Sequence, residues 1–143
     1  MKALVVDASV AIKWVVEEPG SREALALLKA RLRAPDLLIP ECANILWKKA
    51  RRGELTEAEA RLAARLLERA DVDLVPMRRL LEPATKLSIE LDHPAYDCLY
   101  LVLAEVGGCD FITADEWLCS KVRLAGYPVR VLSLMDAAAS HRL

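Results

Sequence analysis

Short apolar runs alternate with longer amphipathic stretches along this chain, a pattern compatible with few architectures. Ala3–Val6 reads as a buried strand ending at Asp7, Val72–Val75 as a second, and 110–112 and 129–132 as two more. Helical signals lie between them. Residues 9–16 suit a short helix. Pro19-Gly20 breaks the chain before Ser21, a candidate N-cap, and Leu25, Leu28 and Leu32 follow at helical spacing. Asp36 is placed to cap a helix running to Gly53, with Pro40 tolerated in its first turn. Thr56 and Glu59 form a capping box, with Leu62, Ala63, Leu66, Leu67 and Ala70 on one face behind it. Residues 79–91 form a further helix. Pro94 opens another that Gly107-Gly108 stops, and Thr113 with Glu116 is a second capping box. Strands alternating with helices predict an α/β domain with a parallel sheet.

The chain of 143 residues suits one domain, taken as residues 1–143. Hydrophobic residues make up 55%, enough apolar surface to offset the entropy of ordering, so a disordered chain is excluded. A net charge of −1 excludes a globally basic nucleic-acid binder but not a local basic patch. No apolar run approaches the roughly 18 residues of a membrane span. Asp7 and Lys13 interrupt the apolar start, and no clear cleavage site follows, so a cytoplasmic protein is expected. Cys42, Cys98, Cys109 and Cys119 form no C-x-x-C pair, and His93 and His141 are far apart. The cysteines therefore read as small buried apolar residues rather than zinc ligands or disulfides.

Function in an open α/β sheet gathers at the carboxyl ends of strands. Asp7 ends the first strand, with Ser9 two residues on. Asp115 follows the strand ending at Ile112, with Thr113 between. Glu41 and Asp97 lie on helices among residues that favour burial, Glu41 beside Cys42 and Asp97 beside Cys98. Taken singly, Asp7 or Ser9 reads as a helix cap, the other acids as first-turn residues favoured by helix dipoles, and Asn44 as a solvated amide. Taken together, buried acids carry a cost that convergence on a divalent cation would remove. Carboxylates are hard ligands suited to Mg²⁺ or Mn²⁺. Such ions lower the pKa of a water nucleophile and stabilise the oxygens of a phosphodiester under attack. Ser9, Asn44 and Thr113 could orient the ligands.

These residues resemble the PIN domain and, within it, the VapC-type toxins of bacterial toxin–antitoxin pairs. Val5-Val6-Asp7-Ala8-Ser9 is similar to the opening strand with its first acid, and Pro40-Glu41-Cys42-Ala43-Asn44 to the Pro-Glu-x-x-Asn segment. Tyr96-Asp97-Cys98-Leu99-Tyr100-Leu101 resembles the third acidic segment, and Phe111-Ile112-Thr113-Ala114-Asp115 the Thr-x-Asp segment. The resemblance implies a three-layer α/β/α fold with a central five-stranded parallel sheet. It implies a Mg²⁺- or Mn²⁺-dependent endoribonuclease with Asp7, Glu41, Asp97 and Asp115 as catalytic, metal-binding acids. It also implies a homodimer, and neutralisation by a small VapB-like antitoxin, in a hetero-oligomer, whose tail occupies the site.

Lys48 and Arg52 follow Glu41 and Asn44 along one helix face, so the acids continue into a basic stripe suited to an RNA backbone, with Lys49 and Arg51 beside it. A solvated helix end is the alternative. Glu57 before Arg61 points to ordinary surface pairing for Arg61, Arg65 and Arg69. Trp14, Trp47 and Trp117 read first as packing or interface residues, Trp14 or Trp47 contributing to an antitoxin groove or dimer contact. His93 reads as a structural loop histidine. A haloacid-dehalogenase-type phosphatase would want a second acid where Ser9 stands, and a receiver domain a late lysine where Ser133 stands. A degenerate PIN domain acting as a binding module, or a housekeeping RNA-processing nuclease, remains as the competing reading.

Overall fold

The computed structural model describes residues 2–141. Five strands, β1 (Ala3–Val6), β2 (Arg31–Pro35), β3 (Asp73–Val75), β4 (Asp110–Ile112) and β5 (Val131–Leu132), form one all-parallel sheet in the order β3-β2-β1-β4-β5. The helices are α1 (Ala8–Ala11), α2 (Ser21–Ala26), α3 (Leu38–Arg51), α4 (Glu57–Glu68), α5 (Leu81–Leu91), α6 (Ala95–Gly107), α7 (Glu116–Leu124) and α8 (Leu134–His141). None is long and apolar enough to cross a membrane.

The pleat of β1 divides the core. Leu4 and Val6 pack on one face with Ala24 of α2, Leu27 just beyond it, and Leu134 and Ala137 of α8. Val5 faces the other way, toward Leu38 and Cys42 of α3, Leu87 of α5 and the apolar length of α6. Burying an aliphatic side chain stabilises the fold by roughly 1.5–3 kcal/mol, so a strand apolar on both faces belongs at the centre of three layers. The four cysteines are buried in the cluster around Val5, as expected of small apolar residues. Helix α6 begins after Pro94 and ends at Gly108, whose φ of 63° suits a residue without a Cβ.

Several elements differ from the sequence expectation. Leu32 does not continue the helix begun at Ser21. It lies in β2, opposite Leu4, while Arg33 bonds Asp73 of β3 at 3.3 Å. The charged alternation Arg31-Leu32-Arg33 conceals the strand from a search for apolar runs. The buried face of α2 and the turn after it is Ser21, Ala24 and Leu27, whereas Leu25 and Leu28 are 45% and 42% exposed. Val72–Val75 shortens to β3, a half-buried edge strand, because only β2 covers one of its sides. The last strand is Val131–Leu132 rather than 129–132. Helix α3 starts after Leu37 with no side-chain cap, so Asp36 does not cap it. The Thr56–Glu59 capping box forms in both directions, at 3.1 and 2.9 Å.

The strand order places the crevice. From β1 the chain moves outward to β2 and β3, then returns across the sheet to β4 and β5 on the other side. Connections leaving the carboxyl ends of β1 and β4 therefore diverge, and a cleft opens between them.

Candidate functional site

Asp7 leaves the carboxyl end of β1 and caps α1. Its Oδ1 accepts from the Val10 N–H at 3.3 Å and from the Ser9 hydroxyl at 2.5 Å, and its Oδ2 from the Thr113 hydroxyl at 2.5 Å. Thr113 stands at the end of β4, so its hydroxyl ties the two strand ends together across the switch point. The Ser9 oxygen also accepts from the Ala114 N–H at 2.9 Å. The cap on α7 is not Thr113 with Glu116. Asp115 takes that place, its Oδ1 accepting from the Leu118 N–H at 3.1 Å, while the Thr113 hydroxyl oxygen accepts from the Asp115 N–H at 3.1 Å. Thr113 is thereby freed to hold Asp7.

Two helices bring the remaining acids. Glu41 lies in the first turn of α3, and its Oε1 accepts from the Tyr100 hydroxyl at 2.6 Å. Tyr100 is fully buried and stacks on Phe111, ring centres 5.8 Å apart. Asp97 lies in the first turn of α6, its Oδ2 2.6 Å from Nε2 of His93. A shallow cleft of about 300 Å³ is lined by Asp7, Ser9, Glu41, Asn44, Lys48, Asp97 and Asp115, with Ala8 and Ile45. The amino ends of α3, α6 and α7 open at this edge of the sheet, so their dipoles favour negative charge there.

The basic stripe is only partly present. Lys48 lines the cleft, but Arg52 caps the far end of α3, exposed and outside the lining. Lys49 bonds Glu18 at 2.8 Å, and Arg51 lies over the Trp47 ring at 5.2 Å. Arg61 pairs with Glu57 at 3.9 Å, as its spacing predicts. Trp14 donates to the Ala24 carbonyl at 2.8 Å and lines a separate apolar cleft of about 280 Å³ between α3 and α4.

His93 and Tyr100 were not assigned from the sequence, although both hold acids of the cleft. A weak signal existed: His93 and Asp97 are four residues apart across a helix start, and Tyr100 follows Asp97 by three. Nothing in the sequence marks Lys121, whose Nζ is 3.1 Å from Nδ1 of His93. The side chain of His141 lies outside the described residues.

Burial dominates the electrostatics. It raises the Asp7 carboxyl from 3.8 to about 6; the two hydroxyls oppose the rise and the charge of Asp97 adds to it. Burial also raises Glu41, against the Tyr100 hydroxyl and with the charge of Asp97. Cys42, buried beside Glu41 and Asp7, is pushed up to about 12 and stays a thiol. Among the described residues, no three His, Cys, Asp or Glu side chains are gathered tightly enough to form a ready-made ion site. The donor chemistry fits a hard divalent cation: carboxylate oxygens gathered on one cleft, one of them buried at a cost that a cation would offset.

The model of the PIN domain matches residues 4–123. The chain belongs to the PIN-domain family. Among its PIN-domain relatives, the VapC ribonuclease Mb0985 of Mycobacterium bovis is 34% identical over 78% of this chain and 85% of its own. Ribonuclease VapC3 of Pyrobaculum aerophilum is 36% identical over 82% of this chain and 93% of its own. The crystal structure of PAE2754 from Pyrobaculum aerophilum shares the PIN fold at a TM-score of 0.75, with 22% identity over 97% of this chain and 94% of that one. The five-stranded parallel sheet between helix layers is thus the PIN architecture that the motifs implied.

Proposed function

We propose that the acidic cleft is where this VapC-type endoribonuclease hydrolyses RNA, with Asp7, Glu41, Asp97 and Asp115 holding Mg²⁺ or Mn²⁺. The chain is an endoribonuclease of a family that depends on divalent metal. The observation that carries the residue assignment is convergence: four acids from four separate segments line one cleft at the β1/β4 switch point. Bound there, a divalent cation lowers the pKa of water and neutralises charge on the scissile phosphodiester. The chain's own groups prepare the site. Ser9 and Thr113 fix both oxygens of Asp7, Tyr100 fixes one oxygen of Glu41, and Asn44 lies one turn beyond Glu41 on the cleft wall. Lys48 gives the RNA backbone a cation at the rim, and Arg52 a second further out.

The same reading makes the chain a single-domain toxin, cytoplasmic, homodimeric and neutralised by a VapB-like antitoxin in a hetero-oligomer. The apolar cleft between α3 and α4, with Trp14 in its wall and the exposed Ile39 at its edge, supports an antitoxin contact. The opposing reading, a degenerate binding module, is weakened by the presence of all four acids on one cleft. The deciding experiment is cleavage of a structured RNA pool by partner-free protein in Mg²⁺, in Mn²⁺ and in chelator, beside Asp7→Asn and Asp97→Asn. Metal-dependent cleavage that falls to background in both folded variants is expected. Wild-type rates in either variant would remove that acid from the assignment, and folded protein that never cleaves would favour the binding module.

A further inference from the structure

His93 is 6% exposed, and both nitrogens of its imidazole are engaged. The turn that carries it is secured by the backbone. The His93 N–H donates to the Ser88 carbonyl at 3.1 Å, the His93 carbonyl accepts from the Ser88 hydroxyl, and Asp92 holds a left-handed φ of 50° before Pro94. None of these contacts uses the ring. The ring instead spans two helices: Nε2 meets Asp97 on α6 at 2.6 Å, and Nδ1 meets the Lys121 ammonium on α7 at 3.1 Å. An ammonium only donates, so Nδ1 accepts and Nε2 carries the proton given to Asp97. Lys121 is itself fixed, donating to the Asp92 carbonyl at 3.0 Å. Trp117 covers the pair, its ring centre 5.6 Å from that of His93 and 5.1 Å from the Lys121 nitrogen.

We propose that His93 and Lys121 form a strut that aims the Asp97 carboxylate and fixes its spacing from Asp115, the cap of the helix that carries Lys121. The inference rests on the metal-site reading above. With Oδ2 of Asp97 held by the imidazole, Oδ1 would be left for an ion, and less of the carboxylate's motion would have to be arrested on binding. His93 and Lys121 are positioning residues; neither touches substrate.

The test uses the full chain free of partner. Mn²⁺ affinity is read from the spectroscopic signal of free Mn²⁺, and RNA cleavage is measured against Mn²⁺ concentration. His93→Ala should weaken Mn²⁺ binding about 10–100-fold, the range for loss of a ligand-orienting group. The Mn²⁺ concentration for half-maximal cleavage should rise in step, while the rate at saturating Mn²⁺ recovers. His93→Gln, whose amide N–H can reach the same oxygen, should restore most of the affinity. Lys121→Met should fall between them. Wild-type affinity in folded His93→Ala overturns the strut, as does His93→Gln no better than His93→Ala. If His93→Ala does not fold, wild-type affinity in Lys121→Met overturns it. Asp97→Asn separates the two ideas. Mn²⁺ affinity retained there defeats the metal-site reading, whereas affinity lost there but kept in His93→Ala defeats the strut alone.

Discussion

Asp7 serves two ends with one carboxylate: it caps α1 and it faces the cleft. Its sequence neighbours gave it either role, and the structure shows that the roles are compatible because each oxygen has its own partners. Its burial has a measurable consequence. Between the ordinary value of 3.8 and about 6, the native protein keeps a proton that the unfolded chain has released. Stability of the metal-free protein therefore falls as pH rises through that interval, by up to ~3 kcal/mol at full ionisation. Urea denaturation in chelator at a series of pH values should show this slope, and Asp7→Asn should flatten it. A divalent cation favours the ionised form, so metal added near pH 6 should release protons, which calorimetry in buffers of different ionisation heat would detect.

At the scale of elements, local chemistry settled some helix boundaries and left others, with faces and pairings, open. The Thr56–Glu59 box and the Pro94 and Gly108 ends of α6 are decided within a few residues and were legible. The face of α2 was not, because Leu25-x-x-Leu28 and Ala24-x-x-Leu27 are both helical spacings, and only contact with Leu4 and Val6 chooses between them. Leu27→Ala should cost about 2–5 kcal/mol in chemical denaturation, and Leu25→Ala under ~1 kcal/mol. The reverse order would restore the sequence-based face. Strand β2 was illegible for a related reason: Arg33 tolerates a half-buried position only because Asp73 arrives beside it from a strand distant in sequence. Thr113 and Asp115 show the same limit in the site. Both capping assignments suit the local sequence, and the choice falls to Asp7, which claims the Thr113 hydroxyl across the sheet.

For the whole molecule, the sheet order and the helix ends act together. The switch point opens the cleft, and three helix amino ends and four carboxylates meet on it, so the native fold concentrates negative charge where its dipoles best tolerate it. A ligand that binds only this arrangement stabilises the fold by mass action. Mn²⁺ at a hundred times its dissociation constant should add about 2.7 kcal/mol and raise the Tm. Asp97→Asn should abolish the increment, and an equal rise in that variant would place the bound ion elsewhere. The sequence by itself determined the α/β class, the central apolar strand and which acids are chemically out of place, because apolar periodicity and the cost of burying charge are properties of short segments. Only the tertiary structure decided that the four acids share one cleft, that Tyr100 and His93 hold two of them, that Lys48 reaches the rim and Arg52 does not, and that β2 completes the sheet. The His93–Asp97 pair is local, but the direction of its ring is set by the turn and by Lys121 of α7; the others depend on how segments far apart in the chain pack, where distance and direction are not set by spacing.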